Sequence, residues 1–193
     1  MSESTSEQHI ILGTLGPEQS HAWQAAKQYA PHAEIRLYPH SGGLLNAFIA
    51  QQLDRIVLPV FNTRQGENKL YFRLFEQLNK GYWLDNIVLP VNLSLGVFTP
   101  DIGTEELEVL LGRRAVFRQC EEYICAAFPD AALTSVQDIE QAVQRIQEQG
   151  LRNHGVIAAA ELLEALGLHI LEREVAPHNR TRYAVLGREL AKP

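Results

Sequence analysis

Short apolar runs alternate with stretches of helical spacing through almost the whole of this 193-residue chain, and that alternation is what most limits its fold. Residues 9–15 read as a buried strand broken by Gly16 and Pro17. A helix follows over 19–29 that Ser20 can cap, then a strand at 33–38, a helix at 44–52 and a third strand at 55–60. This βαβαβ order favours a parallel sheet with right-handed crossovers. A polar turn at 61–66 and a helix over 70–78 come next. The apolar stretch 87–98, with Pro90 inside it, suits a strand or strand pair passing to a second lobe. The grammar then repeats, with strands at 109–111, 132–134 and 155–158 and helices at 114–128, 136–149 and 161–166. Residues 169–175 carry the chain back. A cationic turn, 178–183, then runs into an apolar strand that closes the first sheet. The expected result is an α/β protein of two βα lobes, with polar strand-end turns facing a cleft between them. No short repeat is present, which excludes a solenoid.

A hydrophobic content of 46% with 21% charged residues is ordinary for a globular chain. The first eight residues are polar and acidic, with neither the basic nor the apolar region of a signal peptide, and read as a flexible tail. No run is long enough to span a bilayer, so the expected setting is cytoplasmic with no membrane partner. Net charge is −6, which argues against a general grip on nucleic acid. Thirteen of the seventeen basic residues are Arg, the side chain whose planar fork clamps carboxylates, and this fits a small anionic ligand. Cys120 and Cys125 lie five apart in a helical stretch, so their side chains diverge; both read as core thiols and not as a disulfide. Neither His nor Cys shows metal-ligand spacing, and no metal or organic cofactor is expected.

Four polar segments qualify as site material. Residues 16–20 join a strand to a helix start, where free N–H groups favour an anion and where Gln19 and Ser20 could contact it; Ser20 alone is equally a helix cap. Asn62, Thr63 and Arg64 offer an amide, a hydroxyl and a guanidinium, although any turn needs Asn and Gly66. Arg113 and Arg114 stand at a helix N-terminus, where cations oppose the helix dipole, so local stability does not explain them. Thr181 and Arg182 open the closing strand; the plain alternative is a surface turn with solvated arginines.

These segments have a family look. Residues 15–18 (Leu-Gly-Pro-Glu), 59–63 (Pro-Val-Phe-Asn-Thr) with Gly66, Gln119 with Cys120, 158–161 (Ala-Ala-Ala-Glu) with Gly167, and 179–183 (Asn-Arg-Thr-Arg-Tyr) resemble the prephenate dehydratase catalytic domain over about residues 9–188. The resemblance implies a two-lobed fold of the type II periplasmic-binding-protein kind. Lobe one would take about 9–93 plus 175–193 and lobe two about 94–174, within a single domain over 9–193 after the tail 1–8, without the regulatory domain that often follows. The departures are Phe61 where dehydratases have Glu, Arg113 and Arg114 where they have His-Pro, Gln19 for a glycine, and Gly96 with Val97 where a histidine is expected. With those changes, residues 13–19 and 62–67 resemble the non-aromatising prephenate decarboxylases of bacilysin-type specialised metabolism.

The resemblance implies that prephenate is the small-molecule substrate. The ring carboxylate would be lost while the ring hydroxyl is kept, in the making of a non-proteinogenic amino acid or antibiotic, with a homodimer as an option. Dehydration of prephenate or arogenate is the alternative enzyme reading, and a non-catalytic small-anion binding module the alternative of another class. By resemblance, Thr181 and Asn62 are the catalytic residues, Arg182 is a carboxylate anchor, and Ser20, Gln19, Thr63, Arg64, Arg113, Arg114 and Gln119 contact substrate. Loss of a carboxyl at position 61 would deny the ring hydroxyl an acid. Phe61→Glu is therefore expected to restore some dehydration, provided a partly buried carboxyl stays protonated.

Overall fold

The computed structural model describes residues 10–18, 20–68 and 81–189. The expected tail over 1–8, the helix over 70–78 and Gln19 lie outside the described residues. The chain forms two compact units, one made of residues 1–89 and 180–193, the other of 90–179.

In the first unit the chain runs β1 (Ile11–Leu15), α1 (His21–Tyr29), β2 (Glu34–Tyr38), α2 (Ser41–Ile49), β3 (Arg55–Asn62), the short β4 (Gly66–Glu67) and β5 (Tyr82–Pro90). The last strand of the chain, β11 (Arg180–Gly187), returns to the same sheet, whose order is β2-β1-β3-β11-β5 with β4 paired to β3. β1 is parallel to β2 and β3, as the βαβαβ pattern requires, while β11 runs antiparallel to β3. Ser20 starts α1 by accepting from the Trp23 N–H at 3.3 Å. Ala22, Ala25 and Ala26 then present a buried small-residue face, packed with Leu12, Val57, Tyr183 and Val185. α2 packs on the other face, where Leu44, Leu45 and Phe48 meet Ile56, Leu58, Val60, Ala184 and Leu186. Successive strand residues thus divide between two cores, which makes the register of β11 on β3 decisive for everything at its end.

The second unit contains β6 (Ser94–Val97), a 3-10 turn (Thr104–Glu106), β7 (Val109–Gly112), α3 (Arg114–Gln119), α4 (Glu121–Ala127), β8 (Ala132–Ser135), α5 (Ile139–Gln149), β9 (His154–Ala158), α6 (Ala160–Ala165) and β10 (His169–Glu172). Its sheet order is β10-β6-β9-β7-β8. α5 shows clearly why sequence becomes helix here. Asp138 caps it by accepting from the Gln141 N–H at 3.0 Å, Ile139, Val143 and Ile146 supply the buried stripe, and Gly150 ends it at φ 64°.

The structure corrects three details of the sequence reading. The helix expected over 114–128 is two helices, divided at Cys120, whose backbone leaves helical values (φ −102°, ψ 12°). Cys120 is a core thiol, but Cys125 is exposed, since helical spacing of five sends the two side chains to different faces and only one is buried. The stretch expected as a turn over 178–183 is already strand from Arg180 onward.

Candidate functional site

In the first unit the end of β3 meets the start of β11, with Asn62 opposite Thr181 and Phe61 opposite Arg182. The ladder slips between Arg182 and Tyr183: Tyr183 pairs with Pro59, so β3 spends one extra residue there. That bulge changes the parity of β3. Val60 packs in the α2-side core, and without the slip Asn62, two residues on, would point the same way. With it, Asn62 joins Thr181, whose strand neighbour two positions on, Tyr183, belongs to the α1-side core. Asn62 Nδ2 donates to Thr181 Oγ1 at 3.0 Å, and both residues are buried, at 6% and 8% exposure.

The turn beyond is built from the same side chains. Asn62 Oδ1 accepts from the N–H groups of Arg64 (2.9 Å) and Gln65 (3.1 Å), an Asx turn that fixes the face its amide presents. Gly66, at φ 80°, turns the chain back into β4 after a three-residue loop, a conformation that favours glycine. The Thr63 N–H donates to Arg180 O, and Thr63 Oγ1 accepts from the Arg180 N–H, both at 2.9 Å. Thr63 therefore clasps the two strand ends together with the hydroxyl proposed for substrate.

Burial raises the Tyr183 phenol well above its ordinary range, and a side-chain hydrogen bond with Thr181 works against that rise. A phenol displaced upward in this way stays protonated across the physiological range. Arg182 is exposed, and alternation along β11 sends it to the face opposite Thr181, beside exposed Phe61. A carboxylate introduced at position 61 would stand directly across the ladder from a guanidinium, which favours its charged form. This corrects the expectation that such a carboxyl would stay protonated.

The other candidates are placed as follows. Ser20 Oγ accepts from the Trp23 N–H and donates to Leu15 O at 3.3 Å, so its hydroxyl is occupied by the cap. Arg64 is half-buried in the turn after β3. In the second unit Arg113 caps α3 through its backbone and Arg114 begins it; both are exposed, with no ion pair among the described residues. Gln119 ends α3 half-buried, and its Oε1 accepts from Asn179 Nδ2 at 2.7 Å. Asn179 is 3% exposed, and its carbonyl accepts from the Val91 N–H at 2.9 Å. Sequence reasoning gave no role to Asn179 or Tyr183; the available signal was that Tyr183 follows Thr181 by two on a strand. No group of metal ligands occurs among the described residues, and no described helix is long and apolar enough to cross a membrane. A surface hollow of about 370 Å³ against α5, lined by Asp138, Glu140 and Gln141 among others, carries two carboxylates, which would repel an anion.

A two-sheet mixed α/β fold with polar residues gathered at strand ends defines a class shared by periplasmic binding proteins and a group of small-molecule lyases. A TRAP periplasmic solute binding protein from Desulfovibrio salexigens aligns with a TM-score of 0.53 at 10% identity, covering 93% of this chain and 66% of that one. The prephenate dehydratase from Arthrobacter aurescens, solved in complex with L-Phe, aligns with a TM-score of 0.72 at 16% identity over 95% of this chain and 62% of that one. The Prephenate dehydratase family model matches residues 12–191, and the chain belongs to that family. Arogenate dehydratase/prephenate dehydratase 6, chloroplastic, from Arabidopsis thaliana is 30% identical over 148 residues, 74% of this chain and 35% of the relative. The chain therefore spans about a third of the length of the curated relatives it matches.

Proposed function

We propose that this chain is a lyase acting on prephenate or arogenate, and that it removes the ring carboxylate and ring hydroxyl together to leave an aromatic product. Family membership and the 30% identical plant dehydratase support the substrate class. The observation that carries the chemistry is the buried Asn62–Thr181 hydrogen bond. Departure of the ring oxygen as water requires a proton, and Thr181, already accepting from Asn62, keeps its own O–H to give. Arg64, in the turn that Asn62 anchors, is the proposed partner of a substrate carboxylate in the first unit, a contact contributing about 1.5–3 kcal/mol. Gripping the departing carboxylate firmly would stabilise the ground state, so the stronger clamp belongs on the side-chain carboxylate.

A second reading has an observation of its own. Thr181 is hydrogen-bonded to a neutral amide, and position 61 carries an exposed Phe. A site that holds the ring oxygen without a strong acid suits loss of carbon dioxide alone, with the proton going to a ring carbon and the hydroxyl retained. This is the specialised, antibiotic-forming alternative. Mass spectrometry after incubation with prephenate and with arogenate decides between them. Phenylpyruvate or phenylalanine supports dehydration; a non-aromatic product heavier by one water supports decarboxylation; unchanged substrate rejects both.

A further inference from the structure

Asn179 is 3% exposed, and a primary amide enclosed to that degree needs partners for its donors and its acceptor. Its side chain spends a donor on Gln119, Nδ2 to Oε1 at 2.7 Å, reaching a residue 60 positions earlier in the chain. Its backbone is held as well, since its carbonyl accepts from the Val91 N–H at 2.9 Å. The receiving end is equally fixed. Gln119 is the last residue of α3, and the next residue, Cys120, is 1% exposed and shares a core with Val91. The bond therefore joins two anchored residues, both within the second unit. A glutamine amide has one carbonyl oxygen and two N–H donors. With the oxygen turned to Asn179, the end that Gln119 has left to offer is donor-only, and Nε2 has no hydrogen-bond partner among the described residues.

We infer that Asn179 is a positioning residue for Gln119: by holding the carbonyl it fixes which way round the amide sits and offers the N–H end to a carboxylate of the substrate. A glutamine left to rotate presents its oxygen as readily as its nitrogen, and an oxygen repels a carboxylate. The residue type at 179 decides the outcome. An Asp there would only accept, and would draw the Gln119 N–H groups to itself; a Leu has similar size but no donor, and would release the amide. Asn62 in the first unit is treated in the same way, with its Oδ1 taken up by the N–H groups of Arg64 and Gln65 and its Nδ2 directed to Thr181. In both units, then, an amide has its oxygen occupied by the protein and its nitrogen aimed. The inference rests on the proposed lyase reading, whose substrates carry carboxylates, and adds to it the residue that fits Gln119 to meet one.

The test is Asn179→Asp and Asn179→Leu in the full chain, each alone and combined with Gln119→Leu, with kcat and KM measured on whichever of prephenate and arogenate the wild type consumes. Both changes keep the backbone bond to Val91, and circular dichroism with thermal unfolding checks the fold. Asn179→Asp should raise KM about tenfold, because the reversed amide aims an oxygen at a carboxylate. Asn179→Leu should raise it about threefold, because the amide is released and not reversed. In both, kcat should stay within about twofold, since the group concerned binds the substrate and does not react. In the Gln119→Leu background neither change should raise KM further, because the group through which Asn179 acts is gone. A rise for Asn179→Asp that persists in that background marks plain repulsion by the new carboxylate and overturns the inference. So does a wild-type KM in a folded Asn179→Leu protein, and so does loss of the fold in both variants, which marks a structural role. Wild type that consumes neither substrate overturns the lyase reading and this inference together, whereas an active wild type with a KM indifferent to Asn179 overturns this one alone.

Discussion

Thr181 is asked to do two things that mutation can separate, since its oxygen satisfies Asn62 and its proton is proposed to serve the reaction. Thr181→Val keeps the shape and removes both. It should lower stability by about 1–3 kcal/mol in a denaturant titration, the cost of taking the acceptor away from a buried donor. It should also lower kcat by about 10²–10⁴-fold, the range for a lost general acid. Thr181→Ser keeps the hydroxyl and should retain most of both; a serine variant as inactive as the valine one would remove the assignment. Tyr183 makes a separate prediction about alkaline stability. Its folded-state pKa lies above the unfolded value of about 10. Above that pH the unfolded chain loses the phenolic proton while the folded chain keeps it. The unfolded state then binds fewer protons, and stability falls as pH rises. Tyr123, raised by burial and by its hydrogen bond to Glu172, contributes in the same direction. Tyr183→Phe should make the decline in stability above about pH 10 shallower and leave stability near neutrality free of any pH slope from this residue.

The β3–β11 pair shows what an element adds that its residues do not contain. Asn62 and Thr181 were both legible as candidates, one from a polar strand-end turn and the other from the cationic start of a closing strand. That they face each other was not, because a two-residue period assigns sides only while the ladder is regular, and the bulge beside Val60 reverses the assignment. The same reversal sets Phe61 beside Arg182; that Arg182 faces away from Thr181 follows from plain alternation along β11, legible in residues 179–183 once they are read as strand and not as a turn. The alternating βα order was plain in the sequence because each element keeps its own period and cap, as α5 does between Asp138 and Gly150. The division of residues 114–128 into two helices was not, since no Gly or Pro marks Cys120. The hairpin that follows β3 can be tested through its glycine. Gly66 has φ 80° with open space around it, and Gly150 has φ 64°, also with open space. An alanine at either should cost about 1–2 kcal/mol from backbone conformation alone, with no clash. Only Gly66→Ala should also reduce turnover, because only that strain is relieved by shifting the turn that Asn62 anchors. Equal activity in two equally destabilised proteins would show that the turn does not set the site.

Across the molecule, the pair at the strand ends is neutral by construction, an amide hydrogen-bonded to a hydroxyl. A reaction carried by these groups has no titration of its own between about pH 6 and pH 9, since neither an amide nor an alcohol ionises there. Prephenate-type carboxylates are also fully ionised through that range. The expected kcat profile is therefore flat from about pH 6 to pH 9, with any decline confined to more alkaline conditions. The competing source of a proton is imidazole. His21 opens α1, and histidine is the side chain that changes charge closest to neutral pH. If His21 protonated a ring carbon, kcat would fall as pH rises through that region, because the active form would be the imidazolium, and His21→Asn would abolish the limb along with most of the activity. His154, in the second unit, gives a useful control, as burial holds its pKa down. A flat profile that survives His21→Asn leaves Thr181 and water as the proton sources. A descending limb that His21→Asn removes and His154→Asn does not would transfer the acid role to His21 and reduce the Asn62–Thr181 pair to holding the substrate oxygen in place.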